Sequence, residues 1–88
     1  MNIEFFGTAE RDGSTGSIYF SANVEGRSVR NSILEEVFCE QFGMFDGEDS
    51  LLVFERERKT VESRAREKIR AGHTNESGGA DLVPDDFR

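Results

Sequence analysis

The sequence predicts a small α+β domain in which two helices pack on one face of a small antiparallel sheet, in the order β-β-β-α-α-β. Three observations predict it. Ile18, Phe20, Ala22 and Val24 alternate with polar residues at the period of a half-buried strand. A Glu25-Gly26 step separates that run from a second alternating one, the pattern of a tight hairpin. From Leu34 onward the apolar period changes to that of amphipathic helices.

The elements follow in order. Ile3 to Phe6 is a short apolar run stopped by Gly7, read as a first strand, and the glycine-bearing "ERDGSTG" is the turn after it. Ser17 to Val24 and Arg27 to Ile33 form the hairpin, with Val29, polar Asn31 and Ile33 alternating along its second arm. Leu34, Val37, Phe38 and Phe42 mark the first helix, with Ser32 as its predicted cap and Gly43 as its stop. Across the "MFDGED" link, Asp46, Asp49 or Ser50 is placed to cap a second, long helix running toward Gly72. Lys68 and Arg70 lie at its C-terminal end, where the dipole favours cations. "HTNESGGA", residues 73–80, reads as a polar connector, and "DLV" before Pro84 as a last edge strand, with Phe87 returning to the core. The chain is thus expected to form a single domain over 1–88, with an ordered core at about 2–72 and a C-terminal strand or tail at 81–88.

Composition narrows the function classes. With 18 acidic and 11 basic residues the net charge is -7, which disfavours nucleic acid or an anionic membrane as partner. The charge is uneven, however: Leu51 to Ala71 carries +3 and the remainder -10. One cysteine, Cys39, permits no internal disulfide and suits a reducing, cytoplasmic setting. The N-terminus lacks the pattern of a signal peptide, and no apolar run approaches membrane-spanning length.

The succession "YFSANVEGRSVRNSI", "EEVFCEQFG", "LLVFERERKTVESRAREKIRAG" and "DLVPDDF" resembles the small bacterial proteins grouped as DUF1488, a family without assigned function. Phe54 with Arg58, and Leu82 with Asp86 and Phe87, match that family's Phe-x-x-x-Arg and Leu-x-x-x-Asp-Phe patterns. The resemblance implies the fold and no activity. The sequence departs from the pattern at Asn31, where cysteine is frequent, and at Leu34, where a capping Ser or Thr is usual.

Candidate chemistry is sparse. Leu51, Phe54, Val61, Ala65 and Ile69 share one stripe of the long helix, and Arg58 falls inside it. A guanidinium laid over a core needs acceptors, so Arg58 is expected either to pair with a carboxylate such as Asp86 or to bind a small anion in a pocket. The remaining basic residues read as a solvated face with Glu55–Lys59 and Glu62–Arg66 pairs at i, i+4. His73 stands alone in a polar loop, Cys39 has Glu35, Glu36 and Glu40 for neighbours, and no acid pair forms a dyad. "GSTG" and "SGG" are turns without a phosphate-binding frame, and Phe45 in its acidic link is expected to be exposed as a contact patch. No cofactor or metal is implied. The expectation is a non-enzymatic accessory domain that binds a protein, or a second copy of itself, through the sheet or the outer face of the long helix. Nucleic-acid binding by that helix and small-anion binding at Arg58 are the alternatives.

Overall fold

The computed structural model describes residues 1–88 and is an α+β fold. Its strands are β1 (Ile3–Arg11), β2 (Ile18–Val24), β3 (Arg27–Ile33) and β4 (Asp81–Leu82). Its helices are α1 (Glu35–Phe42), α2 (Ser50–Arg56) and α3 (Arg58–Arg70), followed by a short 3-10 turn at Pro84–Phe87. The sheet order is β1-β2-β3-β4. The first three strands are antiparallel, while β4 joins β3 in parallel, so the sheet is mixed where the sequence predicts an all-antiparallel one. A strand reached through three helices returns from the far end of the sheet, and that crossover imposes the parallel sense.

Local chemistry accounts for most boundaries. Glu25 (φ 51°) and Gly26 (φ 82°) both lie in the left-handed region, the conformation of a two-residue hairpin turn whose twist matches its strands. Gly7, with φ 75°, does not stop β1: the register with β2 shifts between Phe6 and Glu10, and this bulge lets the strand continue to Arg11 instead of ending at Phe6. Leu34 occupies the N-cap position before α1 and gives no side-chain cap. Ser32, the predicted cap, donates instead to Asp81 Oδ1 at 2.8 Å, tying β3 to β4. Asp49 caps α2 by accepting from the Leu51 N–H at 2.9 Å, and the Ser50 hydroxyl bonds the Gly16 carbonyl. The predicted single long helix breaks at Glu57 (φ -103°, ψ 15°), giving three helices in place of two.

Helices cover one sheet face. Ile18, Phe20 and Ala22 of β2 and Val29, Asn31 and Ile33 of β3 are buried, while the residues between them are half-buried or exposed. Phe54 inserts from α2 against Phe20 at a centroid separation of 5.1 Å, and Phe20 meets Phe5 at 5.9 Å. Val61, Ala65 and Ile69 of α3 complete this layer. The core continues past Gly72: Ala80 and Leu82 are fully buried, and Phe87 packs edge-on against Phe42 at 5.5 Å.

The largest buried polar side chain is Asn31, which is fully enclosed. The Asn31 side chain donates to the Phe20 carbonyl at 3.1 Å and accepts from the Ala80 N–H at 2.9 Å. Segment 73–80 is fastened alongside it. Asn75 Nδ2 and the Ser77 hydroxyl both bond the Arg30 carbonyl, and the Arg30 N–H donates to Ser77 Oγ. Approach is so close that a Cβ on Gly79 would stand 2.1 Å from the Arg30 carbonyl oxygen, so only glycine fits there.

Two stability outcomes follow from this packing. Phe54→Ala is expected to cost about 3 to 5 kcal/mol in a urea titration, as for other buried phenylalanines; a loss under about 1 kcal/mol would contradict its central place. Asn31→Ala strands the Ala80 N–H and is expected to cost about 1 to 3 kcal/mol. Hydrogen exchange at Ala80 and Ser32 should accelerate with it, whereas unchanged protection there would show that the carboxamide does not hold the closing segment.

Candidate functional site

Arg58 begins α3 just after the break, with a side chain 25% exposed. Its Nε donates to Glu62 Oε2 at 2.8 Å, its Nη1 to Glu55 Oε1 at 3.0 Å and its Nη2 to the Gly7 carbonyl at 3.3 Å. The guanidinium also lies 5.4 Å from the Phe54 ring centroid. The hydrogen bond to Glu62 raises the Arg58 pKa above its ordinary value, against the opposing effect of burial, and Glu55 adds to the rise. Each nitrogen of the fork is in use. The residue acts as a strap from the α2–α3 junction to the β1 bulge.

Asp86 is elsewhere. Its Oδ2 accepts from Lys68 Nζ at 2.8 Å and from the Val83 N–H at 2.8 Å, and the same Lys68 nitrogen reaches the Asp81 carbonyl at 2.8 Å. The structure therefore does not bring Arg58 and Asp86 together. Lys68 holds the C-terminal turn to α3, and the predicted Arg58–Asp86 pair is replaced by two separate clusters. The physical reason is distance along α3: ten residues separate Arg58 from Lys68, about 15 Å at 1.5 Å per residue.

The predicted Glu55–Lys59 and Glu62–Arg66 pairs are also absent, because Arg58 takes both carboxylates. Lys59 is exposed and Arg66 lies over the Phe5 ring at 5.2 Å. His73 is exposed in the turn after α3, and Cys39 is an exposed free thiol. No group of three or more His, Cys, Asp or Glu side chains has an arrangement able to hold a metal ion, and no helix is long and apolar enough to cross a membrane.

A feature that sequence reasoning missed lies on the uncovered sheet face. The Arg30 guanidinium stacks 4.0 Å from the Tyr19 ring centroid. No carboxylate of the chain is paired with it; only its backbone is engaged, through Ser77 and Asn75. Shallow grooves flank the stack. One of about 340 Å³ is bounded by Ser32, Asn75, Ser77 and Asp81, and one of about 350 Å³ by Thr8, Glu10, Ser21 and Ser28. Phe6, 44% exposed, is opposite Ser21 on the neighbouring strand. A planar cation held on an aromatic ring offers its free N–H groups to carbonyls, carboxylates or another flat surface. The signal was present in the sequence. A turn at Glu25-Gly26 sets Tyr19 opposite Ser32 and Ser21 opposite Arg30, which makes Tyr19 and Arg30 diagonal neighbours.

A second cleft, of about 500 Å³, lies between α1 and α2, lined by Glu35, Asp46, Glu48 and Asp49 with Arg11 as the one cation. Phe45, 72% exposed as the sequence predicts, stands in its wall, and Leu52 in α2 is 70% exposed.

Comparison with known proteins bears on the fold. The family model described as "Protein of unknown function (DUF1488)" matches residues 3–81. A crystal structure from Shewanella loihica PV-4, described as a protein of unknown function from that same family, superposes with a TM-score of 0.78 at 23% identity, covering 93% of this chain and 94% of its own. No curated protein matches the chain.

With each guanidinium nitrogen bonded within the chain, Arg58 is expected to serve stability. Arg58→Met should cost about 1 to 2 kcal/mol, a modest figure because the pairs are partly exposed. Thermal scans with and without phosphate should show the same shift for wild type and variant. Protection by phosphate seen only in the wild type would restore the anion-pocket reading.

Proposed function

The chain belongs to the DUF1488 family, and we propose that it is a non-enzymatic accessory domain of the cytoplasm that binds a partner protein through the open face of its sheet. The observation that carries this reading is the Arg30–Tyr19 stack. Arginine and tyrosine are among the residue types most enriched where protein interfaces concentrate their binding energy, and here the pair stands on a face that no helix covers. Stacking fixes the guanidinium plane before any partner arrives, which lowers the ordering cost of binding. Half-exposed Phe6 supplies apolar area beside it, and the serines around the stack are small enough to let a partner approach.

The rival readings have weaker support. Arg56, Arg58, Arg64 and Lys68 in the helical segment are engaged by carboxylates of the chain, which leaves fewer cations to displace counterions from a nucleic acid. Small-anion binding at Arg58 would require breaking bonds to Glu55 and Glu62.

The test is capture from the native host with tagged wild type and three variants. A specific partner should be recovered with wild type and with Arg64→Ala, whose side chain pairs only with Glu67 on α3. Recovery should fall by about tenfold or more with Tyr19→Ala and with Arg30→Ala, the loss produced by about 1.4 kcal/mol. Equal recovery with all four proteins would refute the sheet face as the binding surface.

A further inference from the structure

The cations of α3 divide into two sets. Arg58, Arg64 and Lys68 form ion pairs within the chain, while Lys59, Arg66 and Arg70 form none. At about 100° per residue the three free ones fall within about 40° of one another, a stripe about 16 Å long. Lys59 and Arg70 at its ends are exposed, and Arg66 between them is half-buried over Phe5. Two acids that would neutralise this stripe, Glu55 and Glu62, are held by Arg58.

The opposite surplus lies in the α1–α2 cleft. Glu35, Asp46, Glu48 and Asp49 face one cation, Arg11, and neither the Glu35 nor the Asp46 carboxylate makes an ion pair or hydrogen bond within the chain. Asp49 is used only as the α2 cap and Glu48 meets Arg56 at 3.7 Å. Phe45 and Leu52, the most exposed large apolar side chains, lie in the loop before α2 and in α2 itself. No ion pair of the chain joins the stripe to the cleft, so a single copy leaves the stripe without acids and the cleft with an acidic excess.

We propose that the chain associates head to tail with a second copy of itself, the Lys59–Arg66–Arg70 stripe of one protomer docking on the acidic α1–α2 cleft of the next. Charge complementarity selects this occupant: an 88-residue chain of net charge -7 keeps an unpaired cationic stripe, and its own remainder is the acidic surface that fits it. The two patches differ, so the contact is heterologous and builds rings or open chains rather than a symmetric dimer. Exposed Phe45 supplies apolar contact within an otherwise electrostatic interface. This surface is separate from the Tyr19–Arg30 face, and either can fail without the other.

Sedimentation of the intact chain tests it with a charge swap. Wild type is expected to gain average mass between roughly 10 µM and 1 mM at low salt, and to lose that gain at about 300 mM salt, where screening is short-ranged. Lys59→Glu with Arg70→Glu, and separately Glu35→Lys with Asp46→Lys, should each stay monomeric while keeping the wild-type circular dichroism. An equimolar mixture of the two variants should regain mass, since each reversed helix then meets a reversed cleft. A monomeric wild type at low salt, or a mixture that stays monomeric, would overturn the proposal. So would duplex DNA bound by the wild type through Lys59 and Arg70 while the protein itself remains monomeric.

Discussion

Asn31 occupies a place that an apolar side chain would fill by default, and burying an amide there is unfavourable unless both its ends are bonded. Its NH2 group goes to Phe20 on β2 and its oxygen to the Ala80 N–H on the returning chain. Those two bonds make β3 an interior strand. Once Ala80 is fixed, the Ser32 N–H donates to its carbonyl, Asp81 and Leu82 align beside Ser32 and Ile33, and the Leu34 N–H reaches the Leu82 carbonyl. Leu82 then enters the core, Lys68 closes over Asp81 and Asp86, and Phe87 is carried to Phe42. A segment with the composition of a linker is thereby folded into the sheet by one carboxamide, one tight glycine and an Asn75–Ser77 turn.

Elements specified by near neighbours were legible in the sequence. The β2–β3 hairpin needed only alternation and a two-residue turn, and the end of α1 needed only Gly43, which takes φ 68° as a left-handed cap requires. Elements specified at long range were not. The apolar stripe, with Arg58 inside it, keeps its phase from Phe54 to Val61 and Ile69, so the break at Glu57 leaves no mark on periodicity. A glycine that ends a strand and one that bulges it are spelled alike, which is why β1 is longer than Ile3 to Phe6. Two residues, Asp81 and Leu82, are too few to carry a direction, and their parallel sense comes from the path of the chain.

The candidate site divides along the same line. Arg58 lies beside Phe54 in the apolar stripe, and its partners are local, at i-3 and i+4, rather than the distant Asp86. Spacing alone allowed Glu55 and Glu62 to serve Lys59 and Arg66 equally well. Geometry decides for arginine. Its planar fork reaches both carboxylates and the Gly7 carbonyl at once, whereas an ammonium on a flexible stem would give up more side-chain freedom for fewer bonds. Tyr19 and Arg30 went unread for a different reason: their relation appears only when the hairpin register is followed diagonally across two strands.

Arg58 therefore does more than strap α3 to β1. By drawing in Glu55 and Glu62 it strips the neighbouring flank of the helix of its counter-charges, so a structural pairing creates the unpaired positive charge at Lys59 and Arg66. The same logic governs the sheet. Segment 73–80 bonds the Arg30 main chain, and the guanidinium rests on Tyr19 without an ion-pair partner. In both places the fold consumes the nearest hydrogen-bonding groups for its own closure and leaves a cation without an acid. An unpaired surface charge costs little while it stays in water, so such residues do not weaken the monomer. They gain value only against a complementary surface, where water is excluded and the missing acid is supplied from outside the chain.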